Sequence, residues 1–295
     1  MRSITVLAPA KVNLLLRVAR PARPDGYHNV ETILQTIDLC DVVEVSIARG
    51  QGVALSCSDP RVPCDASNLA ARAALTFMGE PGIPGMRVRI GIEKHVPPEA
   101  GLGGGSSDAS ATLFALRALM APEMPDGLVE SLAADVGSDV PFFIRGGTQV
   151  ALGRGEVLAP ATQQLAPFPL AIAMPEGGCG TREVYARYDS GIGDGGAPAL
   201  RDALRALSEG RFEDAVGNDL APAAIAAQPG VGRVLDALRA TGLAPVEVTG
   251  SGSACFGVAR STDDAVRAAS QVADRVAFAC SCSTRSAGCE VVVDG

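Results

Sequence analysis

The chain has 295 residues, 47% hydrophobic and 20% charged, with a formal net charge of −8 at pH 7. That mixture can bury a substantial core in two domains or one large one, and the acidic balance excludes a broad nucleic-acid surface, which would need a basic stripe. No apolar run approaches the ~18 residues that span a bilayer, and the opening Met1-Arg2-Ser3-Ile4-Thr5-Val6-Leu7 turns polar too soon for a secretory signal, so a cytoplasmic protein with no membrane and no nucleic-acid partner is expected. The eight cysteines, Cys40, Cys57, Cys64, Cys179, Cys255, Cys280, Cys282 and Cys289, include no C-x-x-C pair. Reduced, mostly buried thiols are expected; zinc held by Cys280, Cys282 and Cys289 is the alternative, weakened by the lack of a nearby histidine.

Residues 4–8 read as a strand broken at Pro9, and residues 11–18 as a second strand headed by Lys11 and Asn13. Lys11 has two readings, a charge pointing to water at a strand end or a fixed charge beside a reacting oxygen or phosphate. Pro24-Asp25-Gly26 is turn chemistry that delivers Tyr27 and His28 side by side. A tyrosine face stacks on a base and a histidine hydrogen-bonds a ring edge, although packing of Tyr27 on the next strand is the plainer reading of the spacing. Residues 30–39 and 41–47 read as two further strands, and Ser67-Asn68-Leu69 caps a helix reaching residue 78, with Leu69, Ala73 and Phe77 on one face.

Residues 86–93 alternate as a half-buried strand and lead into Pro97-Pro98-Glu99-Ala100-Gly101-Leu102-Gly103-Gly104-Gly105-Ser106-Ser107-Asp108, after which a helix is expected over 109–120. The glycines leave room for a close ligand and let successive amides turn to one side, while the helix adds unsatisfied N–H groups and the positive end of its dipole. A polyphosphate cradle is therefore the favoured reading over a flexible, serine-capped turn. The lysine of a P-loop is missing. The dinucleotide spacing at residues 191–196 follows Tyr185-Ala186-Arg187-Tyr188-Asp189-Ser190 rather than a buried strand, and is read as a loop.

An acidic helix over 127–136 precedes Gly137-Ser138-Asp139-Val140-Pro141-Phe142-Phe143, where Asp139 either caps the turn or serves as a partly buried general base. Residues 1–155 form the first expected domain and 156–295 the second, an α+β unit with a strand at 170–174, helices at 201–207, 212–216, 230–240 and 263–272, and a terminal strand at 290–293. Its second glycine turn, Gly250-Ser251-Gly252-Ser253, is either a tight hairpin alone or a loop that approaches the first to complete the cradle.

Five motifs in this order resemble the GHMP kinase superfamily: Ala8-Pro9-Ala10-Lys11-Val12-Asn13-Leu14, Arg23-Pro24-Asp25-Gly26-Tyr27-His28, the triple-glycine loop, Gly137 to Phe143, and Gly250 to Ser253. The resemblance covers nearly the whole chain. It implies an α+β, two-domain GHMP kinase fold, with a ribosomal protein S5 domain 2-like N-terminal domain for ATP and catalysis and a ferredoxin-like C-terminal domain for substrate. It also implies ATP and Mg²⁺ as cofactors, and as small-molecule partner a cytidine diphosphate methylerythritol phosphorylated at its 2-hydroxyl, on a monomer or homodimer.

In that reading Asp139 is the base and Lys11 its charged neighbour. Pro97, Pro98, Glu99, Ala100, Gly101, Leu102, Gly103, Gly104, Gly105, Ser106 and Ser107 wrap the ATP phosphates, with Asn68 and Lys94 near the adenosine. Tyr27 and His28 recognise cytosine with Tyr185 on its other face, Thr181 and Gly250, Ser251 and Gly252 belong to the acceptor site, and Asn13 lies near the diphosphate or erythritol. Two features depart from the family pattern: the Pro-Pro-Glu-Ala opening sets Glu99 near phosphates, and no acidic residue is assignable as a Mg²⁺ ligand, which leaves Ser107 or the phosphates with water. The alternatives are a superfamily kinase for mevalonate, homoserine or a sugar, against which the Tyr27, His28 and Tyr185 set argues, a non-catalytic binding protein of the same fold, and a Rossmann oxidoreductase resting on residues 191–196.

Overall fold

The computed structural model describes residues 2–161, 164–193 and 196–292. In chain order the elements are β1 (Arg2–Val18), β2 (Val30–Ala48), β3 (Val53–Cys57), α1 (Leu69–Met78), β4 (Arg87–Glu93), α2 (Gly104–Met120), α3 (Asp126–Val136), α4 (Val140–Arg145), β5 (Thr148–Gly153), β6 (Val157–Pro160) and β7 (Pro169–Met174). There follow α5 (Thr181–Asp189), α6 (Leu200–Ser208), β8 (Gly217–Asn218), α7 (Ala221–Ala227), α8 (Pro229–Ala240), β9 (Val246–Val248), β10 (Cys255–Val258), α9 (Thr262–Val272), β11 (Phe278–Ser283) and β12 (Glu290–Val291). The chain is thus α+β, as its alternating and helical periodicities require.

The first sheet runs β12-β1-β2-β4-β3, with β5 on β2, β6 on β5 and β8 on β1. Two long strands organise it. β1 and β2 pair antiparallel from Arg2 opposite Ile47 to Val18 opposite Val30, and the register shifts between Pro9 and Lys11 and again between Asn13 and Leu15. Pro9 therefore bends one continuous strand instead of dividing two, because a bulge tolerates the missing N–H. The two irregularities bracket Lys11 and Asn13, where a bulge re-aims side chains.

Helices α1 to α4 cover one face of this sheet: Val6, Val43, Val45, Val88 and Ile90 of the strands bury against Phe77, Leu113, Leu116, Leu132 and Phe142. The second sheet, β11-β7-β10-β9, is antiparallel throughout. Its strand β7 is buried on both faces: Ala171 and Ala173 pack toward α5, α7, α8 and α9, and Leu170 and Ile172 toward the first sheet. There they meet Val12, Leu14, Leu15, Ile33 and Ile37 of β1 and β2, together with Val96, Ala100 and Leu102 of the glycine loop. This shared apolar layer joins the two sheets and seats the loop on it.

Several elements differ from the sequence expectations. Residues 140–145 are a helix, the 212–216 helix shrinks to a 3₁₀ turn over Phe212–Asp214, and Tyr185 to Asp189 lie on α5. The parallel strand β3 and the strand β11 carry weak patterns and went unassigned. The terminal strand, placed with the second domain from its position in sequence, pairs with β1 through Val6 opposite Val291 and Leu7 opposite Glu290. Val293 of that expectation, like Asp194 and Gly195 of the 191–196 loop, lies outside the described residues. Cys289 buries in the core of the first sheet and Cys282 in the layer between the sheets, so the zinc trio weighed as an alternative is divided. Among the described residues no group of three or more His, Cys, Asp or Glu is placed to hold a metal, and no helix is long and apolar enough to cross a membrane. Cys179, Cys255, Cys282 and Cys289 are buried, Cys64 is exposed, and the others lie between.

Candidate active site

Helix α2 begins inside the glycine run, with Gly103 at its N-cap at φ +75° and no side-chain cap. Ser106, Ser107 and Asp108, placed by the sequence just ahead of a helix over 109–120, lie in the opening turns of α2. Glycine makes the earlier start possible, since the left-handed cap conformation carries no Cβ penalty. The first intrahelical bond is Ser107 N–H to Gly103 O at 3.0 Å. The amides of Gly104, Gly105 and Ser106 therefore have no helical acceptor and face the loop opening, where a seventeen-residue helix directs its positive end.

The loop approaches two other elements closely enough to exclude side chains. A Cβ on Gly103 would lie 2.7 Å from Phe143 Cζ and 3.1 Å from Lys11 Cγ, and one on Gly101 would lie 2.4 Å from Thr249 O and 3.0 Å from Gly252 O. The second glycine turn thus connects β9 to β10 and also packs on the first loop, with Ala254 N–H bonded to Ala100 O at 3.0 Å. Asn218, which sequence reasoning missed, secures it by donating to Val248 O at 2.9 Å and Gly250 O at 2.8 Å.

Lys11 is buried, contrary to the solvent-facing alternative. Its amide donates to Leu102 O at 2.9 Å, and its Nζ donates to Asn13 Oδ1 at 2.6 Å and Gly101 O at 2.5 Å. Asn13 is held in turn, its Nδ2 donating to Thr32 Oγ1 at 2.8 Å and its backbone N–H to Thr249 Oγ1 at 3.0 Å. Burial lowers the Lys11 pKa to about 8, with the Asp139 carboxylate opposing that shift.

Asp139 occupies the N-cap position of α4 without forming a cap bond. It is exposed, not partly buried as expected: Val140, Phe142 and Phe143 take the inward positions of this helix and leave the carboxylate at its open end. Lys11 and Asp139 line one cavity of about 250 Å³ with Asn13, Gly101, Gly103 and Tyr185, among others. Thr181, Gly250 and Ser251 also line it, with the Thr181 and Ser251 hydroxyls 3.0 Å apart.

A second cavity of about 630 Å³ adjoins it and is lined by Tyr27, His28 and Tyr185. Tyr27 is 58% exposed, so it does not pack on the following strand. His28 is buried; its Nδ1 donates to Ala19 O at 2.8 Å, since a carbonyl only accepts, and its Nε2 stands 3.1 Å from Asp189 Oδ1. The rings of His28 and Tyr185 lie 5.3 Å apart at 32°. Burial, and secondarily the Asp139 charge, raise the Tyr185 pKa to about 12, so its hydroxyl stays protonated beside the first cavity.

Other expected site residues are committed elsewhere. Asn68 caps α1, accepting from Ala70 N–H at 2.9 Å and donating to Pro63 O at 2.8 Å. Lys94 is buried between two carboxylates, 2.5 Å from Asp41 Oδ2 and 2.9 Å from Asp108 Oδ2. Asp41 also accepts the amides of His95 at 2.6 Å and Val96 at 2.8 Å, which ties the approach to the glycine loop to β2. A buried cation between two carboxylates is what lets both acids sit in the core. The Ala100 and Leu102 side chains are core, Ser107 is fully buried, and Gly252 faces Cys179 and Gly101. Pro97 and Pro98 are half-buried, and exposed Glu99, at φ +56°, sits with its Oε2 3.6 Å from where a Cβ on Gly178 would lie.

Comparison with known proteins fits this geometry. Residues 68–147 match the family model for the GHMP kinase N-terminal domain, and residues 200–277 that for the GHMP kinase C-terminal domain. The 4-diphosphocytidyl-2-C-methyl-D-erythritol kinase of Thermobifida fusca is 42% identical over 93% of this chain and 94% of that protein. The chain belongs to the 4-diphosphocytidyl-2-C-methyl-D-erythritol kinase family of GHMP kinases. The Salinibacter ruber member is 39% identical over 90% of this chain and 92% of its own. A crystal structure of a 4-(cytidine 5'-diphospho)-2C-methyl-D-erythritol kinase superposes with a TM-score of 0.81 at 37% identity, covering 95% of this chain and 99% of that one. The two-domain α+β fold expected from the motifs is therefore the fold of this family.

Proposed function

We propose that the protein transfers the γ-phosphoryl group of ATP to the 2-hydroxyl of 4-diphosphocytidyl-2-C-methyl-D-erythritol, a step of non-mevalonate isoprenoid biosynthesis. The observation that carries the mechanism is the convergence of Lys11, Asp139 and the glycine loop on one cavity. Asp139 accepts the hydroxyl proton, the freed oxygen attacks the γ-phosphorus, and the bond to the bridging oxygen breaks to release ADP. Lys11 Nζ, fixed by Asn13 Oδ1 and Gly101 O, supplies positive charge where charge moves between the two oxygens. The open amides at the start of α2 receive the donor phosphates.

Mg²⁺ would be carried mainly by those phosphates and water, neutralising their charge: the described residues offer no cluster of ligands, and fully buried Ser107 is withdrawn from that role. The second cavity suits the cytosine. Tyr27 and Tyr185 supply ring faces, and His28 lines the cavity beside them with its ring tilted 32° from that of Tyr185. The decisive experiment measures ADP release with ATP and this acceptor, with mevalonate and homoserine alongside. Turnover dependent on the cytidine acceptor is expected; turnover with either other alcohol alone, or with none, would reject the assignment.

A further inference from the structure

The two cavities meet along Val30, Arg154, Thr181 and Tyr185, which line both. Among these four, Arg154 carries the only charge. It sits in the turn between β5 and β6, where Glu156 folds back so that its Oε2 accepts the Arg154 backbone N–H at 2.5 Å. The other Glu156 oxygen forms a loose ion pair with Arg154 Nε at 3.8 Å, too long for a hydrogen bond, so the guanidinium keeps its N–H donors for a stronger acceptor. Its carbon lies 5.1 Å from the centre of the exposed Tyr27 ring, within cation–π range. Next to it Gly155, at φ +107°, has nothing within 4 Å of where a Cβ would be, so the turn leaves the approach open.

We propose that Arg154 is a specificity-determining residue that binds the diphosphate of the acceptor. The inference rests on the reading above, in which the base occupies the larger cavity and the reacting hydroxyl the smaller. A linker between them must cross the boundary the two cavities share, and there an arginine presents five donors in a planar fork suited to phosphate oxygens. In a chain of net charge −8, a diphosphate needs such a local cation. The stack on Tyr27 joins the two recognitions, since the guanidinium that holds the diphosphate also steadies the exposed ring that covers the base.

The test is calorimetric titration of the full-length protein, wild type, Arg154→Gln and Arg154→Lys, with cytidine, CMP and CDP. Charge-assisted hydrogen bonds of this kind should make wild-type binding of CDP ~10–100-fold tighter than that of cytidine. In Arg154→Gln that ratio should collapse to about threefold or less while cytidine affinity changes by no more than about threefold, and Arg154→Lys should restore part of it. With the natural acceptor, Arg154→Gln should raise KM by ~10–100-fold and leave kcat and the KM for ATP within about threefold, the signature of lost uniform binding. A wild-type CDP-to-cytidine ratio retained in Arg154→Gln, or no preference for CDP in the wild type, would overturn the proposal. Failure of the wild type to bind either ligand would instead remove the cytidine reading beneath it.

Discussion

The Thr249 carbonyl oxygen stands where a side chain on Gly101 would begin, 2.4 Å from the ideal Cβ. Gly101 is also at φ +79°, so both sterics and backbone conformation demand glycine there. The substitution Gly101→Ala should cost ~2–4 kcal/mol, combining overpacking with the unfavourable left-handed conformation, and should also displace the carbonyl that anchors Lys11. Urea unfolding and steady-state rates would measure both. A variant within ~0.5 kcal/mol of wild type would mean that the two glycine loops are not locked against each other.

Replacement of Asp139 by asparagine keeps the size of the side chain and removes its ability to take a proton. Turnover should fall by ~10²–10⁴-fold, the range for a positioned base. ATP affinity should stay within a few-fold of wild type, because the donor phosphates are assigned to the α2 amides. Full turnover in this variant would take the base role away from Asp139.

The state of Lys11 should set the upper limb of the pH–rate profile. Burial depresses its pKa from 10.5 to about 8, so the ammonium is largely present at pH 7 and is lost as pH rises through 8. The charge that assists phosphoryl transfer disappears in the same window. The rate kcat/KM should therefore decline with a midpoint near pH 8, and a profile flat to pH 10 would show that the ammonium is not needed.

The Asp41, Lys94 and Asp108 cluster makes a prediction about stability. Burial raises the Asp108 pKa to about 7 against the lowering pull of Lys94, while Asp41 adds to the rise. An unfolded carboxyl titrates near 3.8, so between that value and about 7 the folded protein holds a proton that the unfolded chain has lost. The contribution of Asp108 to stability is therefore full below pH 4 and is lost as pH rises through 7. In thermal unfolding from pH 5 to pH 8, the wild type should lose stability relative to Asp108→Asn. Parallel curves for the two proteins would contradict this.

Much of the candidate site is legible in the sequence because its chemistry is local. Glycine density marks the loop, a lysine at the head of an apolar strand marks Lys11, and an aspartate after Gly137-Ser138 marks Asp139. What stayed hidden depends on contacts distant along the chain. Asp41 reads as one more polar position of an alternating strand, yet it meets Lys94 fifty-three residues later. Asn218 and Gly250 are thirty-two residues apart, and nothing near either names the other. The same limit affected Lys94 and Asn68: which groups would consume their hydrogen-bonding capacity was not legible. Arg154 is not legible because a Gly-Arg-Gly turn signals only a connection until the cavities on either side are known.

The pairing of β12 with β1 brings residues 290–291 beside residues 6–7. Cys289 fills part of the first core, Glu290 and Val291 hydrogen-bond beside Leu7 and Val6, and Arg285 bonds to the Thr36 carbonyl through its amide at 3.0 Å. Removing residues 285–292 would therefore bare that margin of β1, leaving an unpaired strand edge of the kind that pairs with other chains.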